Sequence, residues 1–345
     1  MKILFRMIIA LLFIQFWQCS YAQKSSGVQR GSEKPAWVNN PYEVYSEHQY
    51  LVGVGSGDTR EAAEKNAMGQ IAKIFKTHVQ VDETLIESVF ESLKKNKSSI
   101  SSETNILNRT RLQSDVQLKN VKIGQVFFSE KEGLYYALAY LDRAETAALL
   151  EQDFNENNLL LKRYYETSQS ETNKLRQLAN INKALALAQV NSLINEQYKV
   201  LTGGDGLELA VSEDALQNAA RKIREAIVVQ ISGEGPSAEE IAAYLREVLG
   251  RFGFSMGRQN PHLSIRYQLE MNKTDLNRPG VVAYNWHFKI DVNDLINQTT
   301  LKTFNINKRS AAISEDEVRA RVLRTIKKAL TTKFYKQLMD YFNSF

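Results

Sequence analysis

Leu51-Val-Gly-Val-Gly-Ser-Gly-Asp-Thr-Arg-Glu-Ala-Ala63 is the stretch on which the reading of this chain turns. An apolar run meets a glycine-rich turn and then a helix start, the order in which nucleotide-binding proteins seat a phosphate. The spacing speaks against that use. A dinucleotide fingerprint needs a third glycine three residues after the second, and position 58 holds Asp. A Walker loop needs Gly-Lys-Ser or Gly-Lys-Thr, which the chain lacks. A nucleophile elbow around Ser56 needs glycines at 54 and 58, which are Val and Asp.

The residues that do follow the turn suit a helix cap. Asp58-Thr-Arg-Glu61 has the form of a capping box, with Asp58 as N-cap and Glu61 reaching back. An N-terminal helix end carries about half a positive charge, so the Asp58 carboxylate is expected to sit where a phosphate would. Ser237-Ala-Glu-Glu240 and Ser314-Glu-Asp-Glu317 repeat the pattern without any phosphate-type loop before them. Ser237, Glu240, Ser314 and Glu317 are therefore expected to cap helices as Asp58 and Glu61 do. Gly53, Gly55 and Gly57 then serve backbone freedom and close strand-to-helix packing.

Around this turn the chain reads as α+β: two small antiparallel-sheet domains with packed helices, joined by a helical segment. The expected division is 1–22 leader, 23–34 polar spacer, 35–154 first domain, 155–206 helical spacer and 207–345 second domain. In the first domain a strand at Tyr50–Gly55 precedes a helix from Thr59 to about Lys76. That helix places Ala63, Ala67, Ile71, Ile74 and Phe75 on one narrow stripe. A further strand is expected near Val79–Thr84, a polar loop around Lys94–Ser102, and two stronger strands at Val116–Ser129 and Leu134–Asp142. The last of these is apolar or aromatic on both faces, as for a strand covered by a helix on one side and partly by a loop on the other.

A helix from Ala144 leads into two helical segments, Asn158–Thr167 and Glu171–Val200. The second carries Ala184, Leu187, Ala188, Asn191, Ile194 and Tyr198 on one face. The last domain reads as a strand (Ala226–Ser232), a helix (Ala238–Gly250), strands at Phe254–Met256, Leu263–Met271, Val282–Val292 and Thr300–Asn307, and one closing helix from Glu315 to about Phe342. Antiparallel strands with helices on one face are the layered solution expected for that order.

The opening residues, with Lys2 and Arg6, an apolar run Met7–Trp17 and Ser20-Tyr21-Ala22, form a secretory leader. The run is shorter than the ~20 residues that cross a bilayer, so no transmembrane helix is expected in the mature chain. Cleavage after Ala22 removes Cys19 and leaves no cysteine; the alternative is acylation of Cys19, although Phe16, Trp17 and Gln18 stand where a lipid-attachment site wants small residues. Lys2 and Arg6 account for two of the 44 basic residues, leaving 42 against 39 acidic ones, a balance that demands no nucleic acid. From Leu301 onward ten basic residues face four acidic ones, and Lys327 and Lys328 mark a candidate surface for anionic lipid or glycan.

No reactive centre is legible. His48, His78, His262 and His287 share no ligand spacing; no cofactor and no metal site are expected. Tyr135, Tyr136, Tyr164 and Tyr165 read as packing residues rather than sugar platforms. Paired carboxylates for glycoside hydrolysis leave no local mark.

Pro35-Ala-Trp-Val38, Tyr50-Leu-Val-Gly-Val-Gly-Ser-Gly57, the alanine-rich helix Glu61–Phe75 and Leu134-Tyr-Tyr-Ala-Leu-Ala-Tyr-Leu-Asp-Arg143 together resemble the LPP-twenty lipoprotein family, which is similar in turn to the N-terminal domain of flagellar assembly protein T. The resemblance covers about residues 35–150. It implies a non-catalytic bacterial envelope protein, periplasmic or outer-membrane associated, that acts as a piece of a larger assembly. The functional expectation is an exported structural or assembly component with envelope proteins as partners. The alternatives are a module binding peptidoglycan or another envelope glycan, and a hydrolase with dispersed carboxylates.

Overall fold

The computed structural model describes residues 27–75, 81–95 and 120–345. The leader, Cys19, His78, most of the polar stretch 94–102 and the start of the strand expected at Val116 lie outside them. The described residues form two compact units, residues 27–75 with 120–146, and residues 81–95 with 147–345.

The first unit is built on a four-stranded sheet: β1 (Gln29–Gly31), β2 (Tyr50–Gly57), β3 (Lys122–Ser129) and β4 (Leu134–Asp142), in the order β1-β3-β4-β2. β4 is central and antiparallel to both β3 and β2, whereas β1 runs parallel to β3. Register explains both faces. Leu51, Gly53 and Gly55 pair with Leu141, Ala139 and Ala137, and this small-residue face receives helix α1 (Arg60–Ile74). Ala63, Ala67, Ile71 and Phe75 of the expected stripe are buried, while Ile74 is 43% exposed on the outer side. The opposite face, with Val52, Phe127, Leu138, Tyr136 and Tyr140, is covered by Trp37 and Val38 of the 3-10 turn Ala36–Val38 and by Tyr45, which follows the 3-10 turn Pro41–Glu43. A helix on one side and a loop on the other is what the aromatic pattern of Leu134–Leu141 implies.

In place of the end of the strand expected at Val79–Thr84, a helix, α2, runs from Glu83 to Lys95. Asp82 Oδ1 accepts from Leu85 N at 2.9 Å, and Leu85, Ile86, Val89, Phe90 and Leu93 are buried at helical spacing. This helix packs within the second unit, against α4 (Lys174–Thr202) and α8 (Tyr335–Phe342). α3 (Arg143–Ser170) precedes α4. The segment expected as a spacer is a core layer: from Ile181 to Ala188 every α4 residue is buried, the mark of a helix surrounded on all sides. A helix that the sequence reading lacks, α5 (Glu213–Ala226), packs on α4 with Leu216, Ala220 and Ile223 inward.

The second sheet has the order β6-β5-β7-β8-β9, formed by β5 (Val228–Glu234), β6 (Ser255–Met256), β7 (Leu263–Thr274), β8 (Val282–Asp294) and β9 (Thr299–Ala312). It is mixed rather than antiparallel throughout, because β5 runs parallel to both β6 and β7. The α6 crossover (Ala238–Gly250) returns the chain to the same end of the sheet, which forces that direction. α6 packs on β5, and α7 (Glu315–Ala329) packs on β8 and β9. The closing helix is interrupted by a π-turn, Leu330–Phe334, before α8. Among the described residues no helix is long and apolar enough to cross a membrane.

Candidate functional site

The three glycines lie under the helix that follows them. A Cβ placed on Gly53 would lie 2.5 Å from Ala67 O, one on Gly55 would lie 2.2 Å from Ala67 N, and one on Gly57 would lie 2.7 Å from Ala62 Cβ. The helix thus lies on the strand backbone at a distance that only glycine permits. Asn66 Nδ2 donates to Ser56 O at 2.8 Å, adding a side-chain tie at the end of the strand.

The cap is one residue later than the capping-box reading places it. Thr59 has extended backbone, and its Oγ1 accepts from Ala62 N at 3.1 Å. Asp58 is exposed, outside the cap, and Glu61 makes no return bond. An N-cap needs β-region geometry two to three residues before the amide it satisfies, and Thr59 is the residue that meets it. The Asp58 carboxylate therefore does not fill the helix start, and the glycines before it serve the packing of α1 on β2.

Ser237 does occupy the N-cap of α6, but with φ +57° and no side-chain bond, because the left-handed backbone there does not carry its hydroxyl over the first amides; Glu240 makes no return contact. Ser314 is the N-cap of α7, and its Oγ accepts from Glu317 N at 3.2 Å. Glu317 Oε2 accepts from Ile313 N at 3.4 Å, one residue before the cap, and its other oxygen accepts from Arg321 at 2.7 Å. Those contacts hold the Glu317 carboxyl below the ordinary carboxylate range, chiefly through Arg321. Two further caps, Asn173 on α4 and Ser212 on α5, were readable from residue type but stand outside the capping-box pattern.

In the second unit a buried polar chain ties the helices together. Asn343, fully buried, donates from Nδ2 to Ser88 Oγ at 2.8 Å and accepts from Asn182 Nδ2 at 2.8 Å. Ser92 donates to the Asn343 carbonyl, and Arg224 donates to Asn182 Oδ1 at 3.0 Å. Lys183 is 6% exposed, donates to the Phe345 backbone oxygen at 2.5 Å and stands 5.4 Å from the Tyr164 ring centre. Burial pulls its ammonium down to about 8.

Next to this chain lies a cleft of about 510 Å³ lined by Asp82, Gln189, Arg221, Arg224, Glu225 and Arg251, among others. Arg224 falls in the last turn of α5 and Arg251 is the C-cap of α6. Cations there complement helix dipoles, and both are bonded to protein groups, Arg224 to Asn182 and Arg251 to Glu247 at 3.0 Å.

The other sheet face in this unit is open and polar. β7 presents Arg266, Gln268 and Glu270; β8 presents Asn285, His287, Lys289 and Asp291; β9 presents Thr303, Asn305, Asn307 and Arg309. Thr303 donates to Asp291 at 2.7 Å and Arg309 to Asn285 at 2.9 Å, so the rows are laced across strands. His287 belongs to this face, His48 is exposed, and His262 accepts from Val228 N through Nδ1 at 3.1 Å; the three are not brought together. Lys327 is held by Glu247 at 3.4 Å and lies over Tyr244 at 5.1 Å, while the Lys328 side chain is exposed. No group of His, Cys, Asp and Glu able to hold a metal occurs among the described residues.

Residues 35–142 match the family described as LPP20 lipoprotein, so the quoted motifs from Pro35 to Asp142 are those of an LPP20-type region. The match supports an exported envelope protein of the lipoprotein kind. No curated protein matches the chain. Among solved structures, the chain is similar to the secreted protein HP1454 from Helicobacter pylori, at 14% identity over 84% of this chain and 97% of that one, with a TM-score of 0.44. It is also similar to a minor lipoprotein from Acinetobacter baumannii (10% identity, 32% and 90% covered, TM-score 0.26) and to lipoprotein B from Nitrosomonas europaea (12%, 33% and 80%, 0.23). At these scores the likenesses carry no argument about this chain.

Proposed function

We propose that this protein is a structural or assembly component of a bacterial cell envelope, periplasmic or outer-membrane associated, with no reaction of its own. The observation that carries the reading is the use of the three glycines: Gly53, Gly55 and Gly57 lie where α1 rests on β2, so packing accounts for a pattern that otherwise suggests a phosphate loop. The LPP20 match over residues 35–142 adds support for the compartment. The likeness to a lipoprotein family keeps acylation of Cys19 beside cleavage after Ala22, and the intact mass of the purified mature protein separates the two.

Cross-linking in intact cells followed by recovery of the protein tests the assembly role. Defined protein neighbours are expected. A protein that instead sediments with purified cell wall and is released by salt would favour the second reading, a glycan-binding module. The open amide- and hydroxyl-rich sheet face is the observation on its side.

A further inference from the structure

β9 is an edge strand fourteen residues long, and α7 lies beside it on the covered face of the sheet. Such an edge offers a row of backbone N–H and C=O groups to any extended chain. Among the described residues no strand pairs with its outer side; Arg321, reaching from α7 to the Ala311 carbonyl at 2.6 Å, marks the flank where strand and helix meet. Lys308 alternates with the open-face residues Asn307 and Arg309, so it projects toward the α7 side and is exposed there. Half-buried Ile306 lies one pleat away on the same side.

Charge identifies the occupant. Thr299–Ala312 contains no Asp or Glu, and neither does α7 after Glu317. Arg321, Arg324 and Lys328 follow one another at three- and four-residue steps and are exposed. The Arg324 and Lys328 side chains have no hydrogen bond or ion pair among the described residues, whereas the Lys327 side chain, toward α6, is engaged by Glu247. Two copies of this edge paired together would set basic strand against basic strand, which is unfavourable. An acidic strand laid antiparallel or parallel along β9 would make ladder bonds on one side and meet Lys308, Arg324 and Lys328 with every second side chain.

We propose that the groove between β9 and α7 receives an extended acidic segment of a partner protein by strand addition. The proposal rests on the reading as an assembly component and names the chemistry of its partner. The test uses the mature protein and a synthetic peptide of alternating Thr and Glu, with the Thr–Lys peptide as control. The acidic peptide is expected to bind, to slow hydrogen exchange at amides 300–311, and to lose about tenfold or more in affinity in the Arg324→Glu, Lys328→Glu double variant. Those two side chains are exposed, so the variant is expected to fold, and its unfolding midpoint confirms it.

Equal binding of both peptides, binding without protection in β9, or binding unaffected by the double variant would each overturn the groove. Anionic vesicles competing fully with the peptide at matched charge would overturn it as well. A cross-linking experiment that finds no protein neighbour removes the assembly reading, whereas failure of the peptide alone removes this site and leaves that reading standing.

Discussion

Gly55 lies against the backbone of Ala67, so close that a methyl group on Gly55 would come within 2.2 Å of the Ala67 nitrogen. Neither atom belongs to a flexible side chain, and the contact can be relieved only by moving α1 off the sheet. Gly55→Ala is expected to cost more than the ~1–3 kcal/mol usual for overpacking, measured by urea unfolding. Gly69, on the same helix, has nothing within 4 Å of where a Cβ would go. Gly69→Ala is expected to be neutral or to stabilise by up to about 1 kcal/mol through helix propensity.

Capping separates two adjacent residues. Thr59→Ala removes the acceptor for Ala62 N and is expected to cost about 1 kcal/mol. Asp58→Ala is expected to stay within about 0.5 kcal/mol, as for an exposed site outside a cap. Thermal melts of the two variants decide the assignment, and a larger loss at Asp58 would return the cap to that residue.

Lys183 is charged at neutral pH inside the helical layer, at the cost of desolvation. Its folded value of about 8 lies below the ordinary lysine value of 10.5. Between those values the unfolded chain holds more protons, so the Lys183 contribution rises as pH climbs from 8 toward 10.5, by at most about 3 kcal/mol. Lys183→Met keeps the volume and is expected to be neutral or stabilising at pH 7, losing this pH dependence. Denaturant midpoints from pH 7 to 10 for both proteins measure it.

His262 is shifted in the same direction, below 6.5, first by burial and then by the nearby Lys174 charge. Its Nδ1 accepts from the Val228 amide and has no room for a second proton without breaking that bond. The stability it supplies is complete above 6.5 and is lost as pH falls from there through its folded value. His262→Gln is expected to be less stable than the parent at pH 7.5, with the difference shrinking toward pH 5.

Much of the architecture was legible where one face of an element is apolar and the other polar. Leu263, Ile265, Tyr267 and Leu269 alternate with polar neighbours and form β7 as read; α6 begins and ends at the residues expected, Ala238 and Gly250. What escaped was non-local. Parallel pairing of β5 with β7 is a consequence of the α6 crossover, which no local pattern records. The spacer reading of 155–206 failed because α4 is apolar on more than one face, which a single stripe of six residues understated. In the segment from Val79, short alternation masked the helical spacing of Leu85, Val89 and Leu93. At the glycine turn the packing use of Gly53, Gly55 and Gly57 against Ala63 and Ala67 was readable, but the cap was placed one residue early, at Asp58 instead of Thr59.

The buried link from Ser88 to Asn343 spans 255 positions of chain. Ser88 belongs to α2, which falls inside the stretch 35–142 matched to the LPP20 family yet packs with residues far beyond it. A fragment cut at the family boundary would keep this helix and strip it of its partners, leaving Leu85, Val89, Phe90 and Leu93 bare to water. The unit of sequence inheritance and the unit of folding therefore do not coincide in this molecule, and α2, made early in synthesis, must wait for Asn343 before its polar contacts can close.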